Sequence, residues 1–111
     1  MGELSRKPVV WLGTSLDDLR AQRTAMKDEL GYQLDRVQLG LSPKNFKPMP
    51  EVGVGTIEIR ATDDAGIARL MYVAKFGGKI HVLHVFTKKT QQTAKSDIDI
   101  AKKRYKEARD G

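Results

Sequence analysis

Apolar positions recur along this chain with two different periods. Up to about residue 41 the spacing is helical, and from residue 56 it becomes strand-like. Residues 7–13 read as a short opening strand, with Pro8 at its edge and Gly13 ending it. Ser15-Leu16-Asp17-Asp18 has the form of a helix start, and Leu16, Leu19 and Met26 fall near one helical face. Gly31 interrupts that pattern, and Leu34, Val37 and Leu41 supply a second face, so the spacing predicts a helical hairpin. Residues 42–55 carry Pro43, Pro48, Pro50, Gly53 and Gly55 and read as loop.

Strict alternation then begins. Residues 56–61 predict a half-buried strand, 62–66 a turn, 67–76 a second strand and 79–87 a third, with Gly77-Gly78 as a tight hairpin turn. Residues 88–95 are polar and read as loop. Ser96-Asp97-Ile98-Asp99 predicts the start of a last helix, with Ile98, Ala101, Tyr105 and Ala108 on one face. Lys102, Lys103, Lys106 and Arg109 suit the negative end of its dipole. The layout is α+β in a single domain, residues 1–111: a short N-terminal strand, a helical hairpin, a three-stranded antiparallel meander and a C-terminal helix.

Turn lengths decide which side chains share a face. If residues 63–66 close the first hairpin, Thr62 lies opposite Ile67 and Arg60 opposite Arg69. If Gly77-Gly78 close the second, Phe76 meets Lys79, Met71 meets His84 and Arg69 meets Phe86. One face then collects Ile57, Ile59, Leu70, Tyr72, Ala74, Leu83 and Val85, a core face for the helices to cover. The other collects Glu58, Arg60, Arg69, Met71, Val73, His84, Phe86 and Lys88.

Charge sharpens this picture. The chain has 111 residues and a formal net charge of +6. Residues 1–74 hold ten Lys/Arg and ten Asp/Glu, whereas 75–111 hold ten and four, so the whole excess lies in the last third. A concentrated basic region favours polyanions or an acidic protein partner. There is no cysteine, hence no disulfide framework and no thiolate metal site. No apolar run approaches the roughly 20 residues of a membrane span, and the N-terminus lacks the pattern of a secretion signal. The expectation is a cytoplasmic protein that does not enter a membrane.

Two arginines directly opposed on a sheet repel each other. Either an anion such as phosphate sits between them, which a guanidinium suits well, or Glu58 pairs with one and nothing binds. His84, between apolar neighbours, reads as a packed residue or, beside these cations, as a general acid or base. His81 falls on the opposite face and reads as structural. Tyr72, Tyr105 and Trp11 read as packing residues, and Asp97 and Asp99 as first-turn capping residues. No spacing suggests a metal site, and no glycine pattern suggests a phosphate loop. No cofactor is expected.

Several short stretches together resemble the RelE/HigB-like toxins of toxin–antitoxin systems, in their phage-related HigB-like branch. They are Gly31-Tyr32-Gln33-Leu34 through Gly40, Glu58-Ile59-Arg60, Ala68-Arg69-Leu70-Met71-Tyr72-Val73 and residues 81–93, HVLHVFTKKTQQT. Their order and spacing span about residues 8–108. The resemblance implies helices packed on one side of a twisted sheet and a basic cleft on the other that enters the ribosomal A site. It implies a metal-independent endoribonuclease that cuts translated mRNA and is neutralised by a cognate antitoxin, often a helix-turn-helix protein. By position Arg60, Arg69, Lys88 and Lys89 match the family's basic residues, which the resemblance implies bind RNA phosphates and stabilise the charge at the scissile phosphate. The candidate catalytic set is then Arg60, Arg69, Lys88 and, as the base, His84, and the candidate RNA-binding set is Lys75, Lys88, Lys89 and Lys95. Several members use a tyrosine or histidine near the very C-terminus, whereas this chain ends Glu107-Ala108-Arg109-Asp110-Gly111. The same superfamily contains ParE-like inhibitors of DNA gyrase, and a degenerate toxin that only binds its antitoxin is a further alternative.

Overall fold

The computed structural model describes residues 6–88 and 92–111. In chain order the elements are β1 (Val9–Trp11), α1 (Ser15–Arg20), α2 (Thr24–Gln38), β2 (Phe46–Pro48), β3 (Thr56–Asp63), β4 (Gly66–Phe76), β5 (Lys79–Lys88) and α3 (Lys95–Asp110). The strands form one mixed sheet in the order β1-β5-β4-β3-β2. β1 runs parallel to β5 and the other neighbours are antiparallel. Among the described residues, no helix is long and apolar enough to cross a membrane.

Several expectations need correction. The helical break lies at residues 21–23, and Gly31 sits inside α2. A helical glycine costs about 1 kcal/mol relative to alanine, and the buried row Met26, Leu30, Leu34 and Val37 outweighs that cost. Leu41 lies outside the helix and is exposed. Within the expected loop 42–55, β2 forms an edge strand on β3, with Ile59 opposite Phe46 and Ile57 opposite Pro48. Proline is tolerated at an edge, where it also hinders further pairing. Ser15 is not a cap. It is buried within α1, and its hydroxyl donates to the Val82 carbonyl at 3.4 Å.

Gln33 ties α2 to the sheet edge. This buried amide donates to the Arg60 carbonyl at 3.1 Å and to Glu29 Oε2 at 2.9 Å. Its oxygen accepts the Lys44 and Asn45 amides at 3.1 and 2.9 Å. All of its hydrogen-bonding capacity is therefore used, as burial of an amide requires.

Both faces of the sheet are covered. α1 and α2 pack on Ile59, Ala61, Leu70, Tyr72, Val82 and Val85, while α3 packs on Met71, Val73, Leu83 and Phe86. The fold therefore has three layers, not helices on one side only. The hairpin registers agree with the count from the turns at Arg60–Arg69, Arg69–Phe86 and Met71–His84. Between them, however, Tyr72 meets Val82 and Val73 meets His81. Two irregularities of opposite sense therefore cancel, one placing Leu83 extra in β5 and one placing an extra residue in β4 before Phe76. As a result Leu83 joins the α3 side, and His81 lies on the same side as His84 instead of opposite. His81 still packs: its ring meets Phe76 edge-on at 6.2 Å.

Candidate functional site

Three neighbouring strands build the basic face by simple alternation. Across β3, β4 and β5 the rows are Glu58–Met71–His84, Arg60–Arg69–Phe86 and Thr62–Ile67–Lys88. The first turn of α3 and the residues before it close over these rows.

Glu58 resolves the arginine repulsion. It is fully buried, and its Oε1 accepts Arg60 Nε at 2.8 Å and lies 3.5 Å from Arg69 Nη1. Arg69 Nη1 also donates to the Thr93 hydroxyl at 2.6 Å, and that hydroxyl donates to Glu58 Oε2 at 3.0 Å. Glu58 pairs with both arginines, not with one of them. Residues 58 and 60 point to the same side of one strand, so the nearest anion is built in. Arg69 has no exposed side chain, whereas Arg60 keeps 17%. Arg69 thus stands behind the site instead of on its open surface. Burial lowers its guanidinium pKa, Glu58 opposes that, and Arg60 adds to the lowering. The group stays charged regardless, as arginine does.

A second set lies beside the first. His84 Nε2 is 2.8 Å from Asp97 Oδ1, and Lys88 Nζ is 2.8 Å from Asp97 Oδ2. The His84 ring stacks on Phe86 at 4.6 Å. Burial is the larger influence on His84 and pulls its pKa below the ordinary value, although the Asp97 carboxylate works against it. For Asp97 burial acts upward, but hydrogen bonds from Lys88 and His84 together hold the carboxyl below its usual value. A neutral imidazole beside an ionised carboxylate places its proton on Nε2. Nδ1, buried and without a hydrogen-bond partner among the described residues, then carries the lone pair. The cluster sums to three cations, Arg60, Arg69 and Lys88, against two carboxylates, Glu58 and Asp97.

Asp97 is therefore not a cap. α3 begins at Lys95 after Ala94, without a side-chain cap. Its acidic first turn has the local form of a capping sequence, and nothing in that form reveals that His84 and Lys88 wait across the sheet. Thr93 and Arg104 were equally illegible. Arg104 donates to the Leu83 carbonyl at 3.0 Å, in the strand irregularity that sequence spacing does not show.

The expected RNA-binding lysines do not converge. Lys88 joins the cluster, but Lys75 lies near the opposite end of β4, six residues or roughly 20 Å of strand from Arg69. There its ammonium sits 6.0 Å from the Phe76 ring centre. Lys95 is exposed and pairs with Asp99 at 2.9 Å. Lys89 lies outside the described residues. Among the other expected packing residues, Tyr72 is buried and its phenol is pushed up to about 12 by desolvation. Tyr105 is buried with its hydroxyl donating to the Val54 carbonyl at 2.8 Å.

Residues 17–106, from α1 through most of α3 and including every member of both sets, match the phage derived protein Gp49-like family (DUF891). The chain belongs to that family. The Gp49-like proteins are a RelE-like toxin family, which agrees with the resemblance carried by Glu58-x-Arg60 and Arg69-x-x-Tyr72 at the level of the family, not of a particular branch. No curated protein and no solved structure matches the chain.

Proposed function

We propose that this Gp49-like protein is the toxin of a toxin–antitoxin pair and cleaves translated mRNA on the ribosome. The observation that carries the reading is the gathering of Arg60, Arg69, Lys88 and His84 on adjacent strands of one face. That cluster holds one more cation than carboxylate. Arg60 and Lys88 keep partly exposed side chains on β3 and β5 and contact the phosphates on either side of the scissile bond. Arg69 holds Glu58 and Thr93 from behind and strengthens the positive potential in a poorly solvated setting. The RNA 2′-hydroxyl attacks the adjacent phosphorus, a new P–O2′ bond forms, and the P–O5′ bond breaks with the proton ending on O5′. This chemistry needs neither a protein nucleophile nor a metal. His84 is neutral near pH 7; once Asp97 leaves, nothing holds the ring proton on Nε2, and the tautomer with that proton on Nδ1 takes the 2′-hydroxyl proton on Nε2.

Its partners in this reading are mRNA, the ribosome and a cognate antitoxin, with a helix-turn-helix protein the expectation in this branch. A second reading, a chain that only binds its antitoxin, is favoured by one observation: Glu58 and Asp97 already satisfy the cluster from inside. Mapping 5′ ends of cellular RNA after induction separates them. The nuclease reading expects new ends within translated messages, reduced at least tenfold in Arg60→Ala and Lys88→Ala proteins that still fold. A DNA-damage response without new ends would point to gyrase inhibition, and neither response would favour the binding-only chain.

A further inference from the structure

We infer that Asp97 is an internal stand-in for the RNA phosphate, an autoinhibitory anion that the ligand must displace. The inference rests on reading this face as an RNA site. Asp97 is the one carboxylate that α3 brings to the two sets. It engages Lys88 and His84 at once, the two groups that the proposed chemistry needs free. An oxyanion with two oxygens, each 2.8 Å from a nitrogen of the cluster, has the shape and charge of one face of a phosphodiester.

The first turn of α3 is built to let go. No side chain caps the helix at Ala94, so Asp97 and the neighbouring Thr93 contacts pin it to the sheet. The rest of α3 is held independently: Ala101, Tyr105 and Ala108 lie in the second core, Tyr105 bonds the Val54 carbonyl, and Arg104 bonds the Leu83 carbonyl. Opening one turn therefore leaves the helix docked. The Lys88 side chain is 31% exposed, so an incoming phosphate can approach it from solvent before Asp97 leaves. Glu58 has no such route, being fully buried between two arginines. The exchange thus belongs to Asp97 alone, and its departure hands Lys88 and His84 Nε2 to the RNA in one step.

The test uses a fluorescein-labelled, fully 2′-O-methylated ten-nucleotide RNA, which cannot be cleaved, in a low-salt anisotropy titration. Asp97→Asn keeps the shape and a hydrogen-bonding oxygen but removes the competing charge. Asp99→Asn removes one charge from the same turn at an exposed position, as a control for general electrostatics. The expected result is about tenfold tighter binding for Asp97→Asn than for the wild-type chain, the scale of one charge-assisted contact. Asp99→Asn should gain less than twofold, and adding Lys88→Met should abolish the Asp97→Asn gain. Hydrogen exchange of the wild-type protein provides a second readout that needs no variant. RNA should speed exchange of the Asp97 and Ile98 amides, both bonded to the Ala94 carbonyl, and leave the Tyr105 turn unchanged. Binding by the wild-type chain with no gain in Asp97→Asn and no faster exchange would overturn the inference alone. If none of the proteins bound the RNA, the RNA reading would fall and the inference with it.

Discussion

A carboxylate enclosed between two guanidiniums, with no surface on Glu58 or Arg69 reaching water, is stable only as a set. Removing one member leaves a buried charge uncompensated, which costs about 3 kcal/mol or more. Removing both members of the fully buried pair does not leave that imbalance. Glu58→Gln and Arg69→Met should therefore each lower stability in urea titrations by about 3 kcal/mol. The double variant should lose clearly less than the sum, and strict additivity would show that the pair is not coupled. Arg60, the more exposed of the two but the nearer to Glu58, should also cost stability when lost, so its variant tests function only at temperatures where its urea midpoint shows it folded. For Arg69→Ala, lost activity and lost structure would be confounded.

At the scale of the element, two glycines make opposite predictions. Gly31 lies in the interior of α2 with open space where a Cβ would stand. Gly31→Ala should raise stability by about 1 kcal/mol through helix propensity and a less flexible unfolded chain. Gly53 lies against α3, where a Cβ would fall 2.4 to 2.6 Å from atoms of the Tyr105 ring. That ring is buried, packed edge-on with Phe76 at 5.5 Å and tethered through its hydroxyl, so it cannot move aside cheaply. Gly53→Ala should lower stability by about 1–3 kcal/mol. Thermal unfolding of the two variants beside the parent checks both signs. The glycine that looks like a helix breaker is thus replaceable, and the one inside an apparent loop is required by packing.

At the scale of the whole molecule, the buried histidines make stability depend on pH. His84 and His81 are both held below the ordinary value of 6.5, chiefly by burial, with Lys79 adding to the effect on His81. Above that value both are neutral in the folded and unfolded chain alike, and they contribute no slope. As the pH falls through 6.5 the unfolded chain takes up protons that the fold refuses, so stability drops until the folded values are passed. Asp97, held below its ordinary 3.8, contributes stability that is present above that value and lost as the pH falls through its folded value. The urea midpoint should be flat between pH 7 and 8 and decline as the pH falls below about 6.5. His84→Gln and His81→Gln should each remove part of that decline. An unchanged slope in both variants would assign the effect to other groups.

Local pattern was sufficient for the elements that repeat a period. The α+β class, the opening strand, the meander, the α3 apolar face and the opposition of Arg60 and Arg69 all follow from alternation and turn length, which act between near neighbours in the chain. Family membership was legible too, because motif order survives without coordinates. What the linear pattern lacked was every consequence of long-range contact. Gly31 stays helical because α2 buries a continuous apolar row, and β2 exists because β3 offers it an edge. Leu83 and His81 change side because irregularities in the ladder leave no mark in composition. Above all, Asp97 and Thr93 reach the basic face only when α3 docks on the second side of the sheet. Glu58 lies two residues from Arg60 and was legible, but the partners that α3 brings, Asp97 to Lys88 and His84 and Thr93 to Arg69, are chosen by the packing of layers, which no local pattern records.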